Sequence, residues 1–147
     1  MMNSELHVVL GDWASLEKDA HAIRYEVFVV EQKIPAELEW DVKDAECLHA
    51  VAYDAQHQAL GTGRLLPDGH IGRMAVRQTA RGQGVGAAIL QALMEQARVR
   101  GYVDVKLNAQ TSAEAFYERN GFTREGDIFE EAGIPHLHMQ HQFPPES

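Results

Sequence analysis

The chain has 147 residues, 45% of them hydrophobic and 24% charged, the size and balance of one soluble globular domain, here expected to run over 1–147. A formal net charge of −9 argues against a nucleic-acid backbone as main partner, because phosphate contacts are made by Lys and Arg displacing counterions, and it favours a cationic partner such as an amine. With a single cysteine, Cys47, and no stretch of about 18 uncharged apolar residues, the expectation is a core-stabilised cytoplasmic protein with neither membrane span nor secretory leader.

Leu6 to Leu10 reads as a first strand, ended by turn chemistry at Gly11-Asp12. From Ser15 to Gln32 the apolar residues Leu16, Ala20, Ile23, Val27 and Val30 recur at helical spacing, which predicts one buried face. Arg24, Phe28 and Glu31 form a neighbouring stripe. Pro35 stops this helix, since proline has no backbone donor and its ring clashes with the preceding turn. The acidic stretch Ala36 to Glu46 then reads as loop. Leu48 to Tyr53, Ala59 to Leu66 and His70 to Val76 are three strands separated by polar turns, which predicts an antiparallel meander.

A long amphipathic helix is predicted over Gly84 to Arg100, with Ile89, Ala92, Leu93 and Ala97 opposite Gln91, Glu95 and Arg98, and Gly101 as its cap. Val103, Val105 and Leu107 alternate with Asp104, Lys106 and Asn108, a strand of period two. Strand, helix, strand predicts a right-handed parallel crossover. Thr111-Ser112-Ala113-Glu114 matches a capping box and opens a short helix to Asn120, ended by Gly121. A last strand is expected around Leu137 and Met139, in a tail from Phe129 to Phe143.

Arg81-Gly82-Gln83-Gly84-Val85-Gly86 lies between a strand and a helix start, where free amides and the helix dipole favour an anion. Arg73 and Arg77 would add positive charge beside Arg81. Glycines in such a place equally serve a tight turn and close helix packing. A Walker loop is excluded because no Gly-Lys-Ser/Thr follows. A dinucleotide site is disfavoured: five residues separate the strand from the loop, and Asp104 lies within its strand.

Strand, Arg-x-x-Gly-x-Gly, long helix, strand ending in Asn, and short helix bearing Phe116-Tyr117 together resemble the GNAT superfamily of N-acetyltransferases. The likeness is closer to its ElaA-like and YjcF-like branch. It is carried by Arg24 to Gln32, Gly61-Thr62-Gly63-Arg64, Leu107-Asn108-Ala109-Gln110 and Ala132-Gly133-Ile134-Pro135-His136, which span nearly the whole chain. The resemblance implies an α/β (α+β) fold: a mixed, mostly antiparallel sheet of about six or seven strands, flanked by about four helices, with splayed central parallel strands. It also implies acetyl-CoA as co-substrate and no metal.

By the same resemblance Arg81, Gly82, Gln83, Gly84, Val85 and Gly86 hold the pyrophosphate, and Met74, Ala75 and Val76 pair with the pantetheine arm like an added strand. A bulge in that strand would aim backbone amides at the carbonyl. Asn108 would contact the cofactor, and Tyr117 would face its sulfur as general acid, the alternative being a core tyrosine with a satisfied hydroxyl. Many relatives carry a carboxylate base on the strand before the loop, but His70-Ile71-Gly72-Arg73-Met74 has none. Candidates for the base are therefore Glu31, Asp41, His49 and His136; Glu31 and Gln32 could instead contact a cationic acceptor.

His136 and His138 share a strand face, but no third zinc ligand is identifiable, and Cys47 lacks an activating partner. The function expected is transfer of an acetyl group to a primary amine, on a small molecule or a peptide, by direct attack in a ternary complex. The missing strand carboxylate keeps open a non-catalytic acyl-CoA-binding module. Relatives in the superfamily often pair as homodimers, and neither nucleic acid nor membrane is an expected partner.

Overall fold

The computed structural model describes residues 6–39 and 41–144; Trp40 of the acidic stretch and both ends of the expected 1–147 domain lie outside the described residues. Strands β1 (His7–Gly11), β2 (Leu48–Tyr53), β3 (Ala59–Leu65) and β4 (Ile71–Val76) form an antiparallel sheet in that order. Helices α1 (Trp13–Arg24) and α3 (Val85–Val99) pack on it, and α2 (Ala36–Glu39) lies between β1 and β2 in the chain. A second antiparallel sheet has the order β5-β7-β6, from β5 (Asp104–Gln110), β6 (Thr123–Glu131) and β7 (Ile134–Gln142). The last helix, α4 (Glu114–Arg119), connects β5 to β6.

The first sheet is covered on both faces, which explains why β2 reads as an almost unbroken apolar run. Ala50 and Ala52 pack with Ile89, Leu90 and Leu93 of α3, whereas Val51 packs with Leu16, Ala20 and Ile23 of α1. Gly63 has no side chain because there is no room for one: a Cβ there would lie 2.5 Å from the Met74 sulfur and 3.0 Å from Ile89. Val105, Leu107 and Ala109 of β5 extend the same core to Leu137, Met139 and Phe122.

The structure departs from the sequence reading at five places. The first helix changes winding: Tyr25–Glu31 is a π-helix, whose wider turns move Val30 off the buried face and leave it 54% exposed. The acidic stretch is not a loop. It forms α2 and a 3-10 turn at Val42–Glu46, because its carboxylates are consumed inside the fold. The buried Arg24 guanidinium donates to Glu39 and to both oxygens of Asp44, and Arg64 donates to Asp44 at 2.7 Å and Asp41 at 2.8 Å.

The expected capping box does not form either. Thr111–Ala113 is a 3-10 turn, and α4 begins from Ala113 with no side-chain cap. Val103 precedes β5 and is exposed, so the buried alternation starts at Val105. Finally, β6 was not anticipated: it is a mostly exposed edge strand with little apolar signal beyond Ile128 and Phe129.

Candidate active site

The two sheets meet along β4 and β5, which run parallel and bridge at His70 and Lys106. Past that bridge no ladder joins them among the described residues, and β5 spends its other edge on β7. The backbone of β4 beyond Ile71 therefore faces a cleft. In the β3–β4 register Thr62 opposes Ala75 and Arg64 opposes Gly72, so Arg73 and Met74 together stand opposite Gly63. This is the bulge anticipated from the resemblance, and Arg73 takes a left-handed φ of 49° to make it. Two cavities, of about 470 and 520 Å³, meet on this strand, and Met74, Ala75, Val76, Arg81 and Tyr117 line both.

The larger cavity runs along the glycine loop. Gly82 and Gly84 have φ of 78° and 83°, and nothing lies within 4 Å of where a Cβ would be. Gly86 has a different reason: a Cβ there would press on the Phe116 ring at 3.3 Å. The first intrahelical bond of α3 runs from the Ala88 amide to Gly84 O, which leaves the amides of the preceding turn toward the loop. Open space, free amides and a helix N-terminus fit a pyrophosphate, and the unladdered β4 edge fits an extended amide chain.

The three arginines do not converge on this loop. Arg81 forks onto Glu31 at 2.6 and 2.7 Å and donates through Nε to Val76 O at 3.0 Å. Those bonds from Arg81 hold the Glu31 carboxyl below its usual range. Arg77 pairs with Glu26 at 2.7 Å, and Arg73 lines the other cavity. Gln83 turns its amide back to Thr79 O at 3.3 Å.

The smaller cavity reaches the end of the π-helix, β5 and the β6–β7 turn. Tyr117 is 8% exposed and packs edge-on to Phe116 and Phe122. Burial pushes its phenol up to about 12, and its hydroxyl has no hydrogen-bond partner among the described residues. His136 is 7% exposed, and its Nδ1–H donates to Ile134 O at 2.7 Å. That bond fixes the tautomer, so Nε2 is left with a lone pair. Asn108 accepts from His138 Nδ1 at 2.6 Å and lines the same cavity, and Gln110 donates across it to Gln32 at 2.9 Å.

Asp41 and His49 line neither cavity. Asp41 is committed to Arg64, and His49, 1% exposed, donates Nε2–H to Asp44 O at 2.9 Å; burial lowers its pKa. The Cys47 thiol, pushed up to about 11 by burial, donates to Lys43 O and is a core group. Among the described residues no cluster of three or more His, Cys, Asp or Glu is placed to hold a metal ion; His136 and His138 both pack on Phe129. Sequence reasoning placed Arg73 at the loop and gave Gln110 no role, because bulge geometry turns on a single φ that periodicity does not encode.

A sheet opened between parallel strands, with a bulged edge and a glycine loop at a helix start, is the architecture that the resemblance to N-acetyltransferases implied. The acetyltransferase (GNAT) domain family matches residues 14–143, and the chain belongs to that family. It is thus an acyltransferase, and the family uses acetyl-CoA as donor. The chain is similar to the uncharacterized N-acetyltransferase YjcF of Bacillus subtilis, 42% identical over 126 residues that cover 83% of this chain and 89% of the relative. Among solved structures it is similar to an acyl-CoA N-acyltransferase from Pseudomonas aeruginosa, with TM-score 0.81 and 32% identity over 92% of this chain and 99% of that one. Escherichia coli ElaA gives TM-score 0.82 and 25% identity over 93% and 99%. These similarities put the chain in the ElaA/YjcF branch. No helix among the described residues is long and apolar enough to cross a membrane.

Proposed function

We propose that this single-domain enzyme moves an acetyl group from acetyl-CoA to a primary amine by direct attack in a ternary complex. One observation carries the reading: the two cavities join at the bulged edge of β4, where Tyr117 lines both. The donor then lies along Arg81 to Gly86 and Met74 to Val76, and the acceptor enters from the side of Gln32, Gln110 and His136.

In this reading His136 Nε2 takes a proton from the incoming ammonium, its Nδ1–H being anchored on Ile134. Glu31, locked by Arg81 with its carboxyl held low, is a weak base and instead orients the arginine. Backbone amides at the bulge polarise the carbonyl. The Tyr117 phenol, at about 12, is fully protonated at neutral pH. That proton is available to the departing sulfur, which Tyr117 meets as hydrogen-bond donor and general acid. Asn108, within β5 and bonded to His138, contacts the cofactor arm.

Calorimetric titration with acetyl-CoA and steady-state turnover test these roles together. Arg81→Ala and Gly84→Asp should weaken binding, the latter by placing a carboxylate where phosphate sits. Tyr117→Phe should keep the affinity and lose about a hundredfold in kcat. Undiminished turnover in Tyr117→Phe removes the tyrosine from the mechanism.

A further inference from the structure

Three arginines and three carboxylates meet beside the smaller cavity, and they are not matched one to one. Arg24 donates to Glu39 and Asp44, and Arg64 to Asp44 and Asp41. Arg73 is left with the Asp41 oxygen that Arg64 already holds, at 3.4 Å, and with Leu38 O at 3.5 Å. Its Nε is shut off from solvent without a partner, and its Nη1 makes no hydrogen bond among the described residues. A guanidinium cannot shed its proton in a protein, so a fork held this loosely is an unspent anion site. Burial first, and then the charges of Arg64 and Arg24, pull its pKa down, against a partial lift from Asp41 and Glu39.

The bulge explains how Arg73 reaches this place. Its left-handed φ takes it out of the strand's alternation, and the side chain, 25% exposed, lines the cavity that holds His136, Gln32 and Gln110. Glu39 lines it too, but is committed to Arg24. Glu131, exposed at the end of β6, lines the same cavity from the second sheet and supplies the opposite charge.

We propose that the acceptor is an amino acid: a small primary amine that also carries a free carboxylate, received by the Arg73 fork while Glu131 draws in the ammonium. This rests on the reading of the smaller cavity as the acceptor side. Arg73 directly precedes the Met74 to Val76 edge, so amine and carboxylate must be close together. A peptide N-terminus, whose nearby carboxyl has become a neutral amide, does not meet that demand.

The test compares several amino acids with their own C-terminal amides as acceptors in acetyl-CoA-dependent thiol release, for the native enzyme, Arg73→Gln and Arg73→Lys. In parallel, the native protein saturated with CoA is titrated with N-acetyl amino acids and with their amides. The free acids should be preferred at least tenfold in kcat/KM. Arg73→Gln should raise KM for the acid by roughly ten- to a hundredfold, with a smaller effect on the amide, and Arg73→Lys, which keeps the charge but not the fork, should fall between. The N-acetyl amino acid should bind at least tenfold more tightly than its amide. Equal use and equal binding of acid and amide overturn the proposal. So does a loss of acetyl-CoA affinity in Arg73→Gln that accounts for its whole defect, because Arg73 would then serve the donor. If no amine releases thiol but N-acetyl amino acids still bind in preference to their amides, the transfer reading fails and the carboxylate site stands.

Discussion

Tyr117 and His136 come from α4 and β7, and each carries one half of a proton problem in a form its surroundings impose. Burial, with no hydrogen-bond partner among the described residues, keeps the phenol protonated, and the Ile134 carbonyl holds the imidazole proton on Nδ1, so a donor and an acceptor line one cavity. If His136 is the base, its importance must depend on the acceptor. His136→Gln should lose about a hundredfold or more in kcat/KM with an alkyl amine, which arrives as ammonium, and much less with an amine already neutral at pH 7, such as hydroxylamine. Equal losses with both would give the proton to another group. At this scale the sequence singled out Tyr117, Asn108, the loop and His136, because their residue types and neighbours carry the family's pattern, and the structure places them around the two cavities. It left Arg73 misplaced and Glu31 ambiguous, since both depend on which charge lies across a cleft, and chain order says nothing of that.

Among the elements, the end of the π-helix and α2 line the smaller cavity, and buried charge ties α2 and the Val42–Glu46 turn to the fold. Burial raises the Asp44 carboxyl, but the hydrogen bonds and charge of Arg24, and then of Arg64, outweigh it and hold the group below its ordinary 3.8. A carboxyl depressed by folding lends stability that is complete above the unfolded value and drains away as pH falls through the folded one. The native protein should therefore lose thermal stability steeply below about pH 4. Asp44→Asn leaves Arg24 and Arg64 short of an anion, and should cost about 3–5 kcal/mol near neutrality while flattening that acid limb; Tm measured across pH reads both effects. Retention of the steep limb would mean that other carboxyls carry it. Helical spacing located α1 but not its change of winding, and an acidic run looked like loop because its arginine partners lie far off in sequence, Arg64 among them. The strand β6 escaped notice for a related reason: an exposed edge has no buried alternation to show.

For the whole molecule, the decisive feature is that β4 and β5 meet at one end and separate along the rest, a split that trades a central ladder for a binding edge. The meander, the crossover helix and the parallel return were legible from turns and periodicity, and the resemblance supplied the splay. The acidic average of the chain, −9, agrees with attraction of a protonated amine, the proposed acceptor, and Arg73 is its local exception. Whether this cleft performs transfer, or only holds an acyl-CoA, is decided most directly by thiol release from acetyl-CoA at saturating concentration, followed with and without a panel of amines that includes amino acids. The account predicts release that requires an amine and matches, mole for mole, the N-acetyl product. Tight binding of acetyl-CoA with no amine-dependent release across the panel would contradict it and leave a binding module in its place.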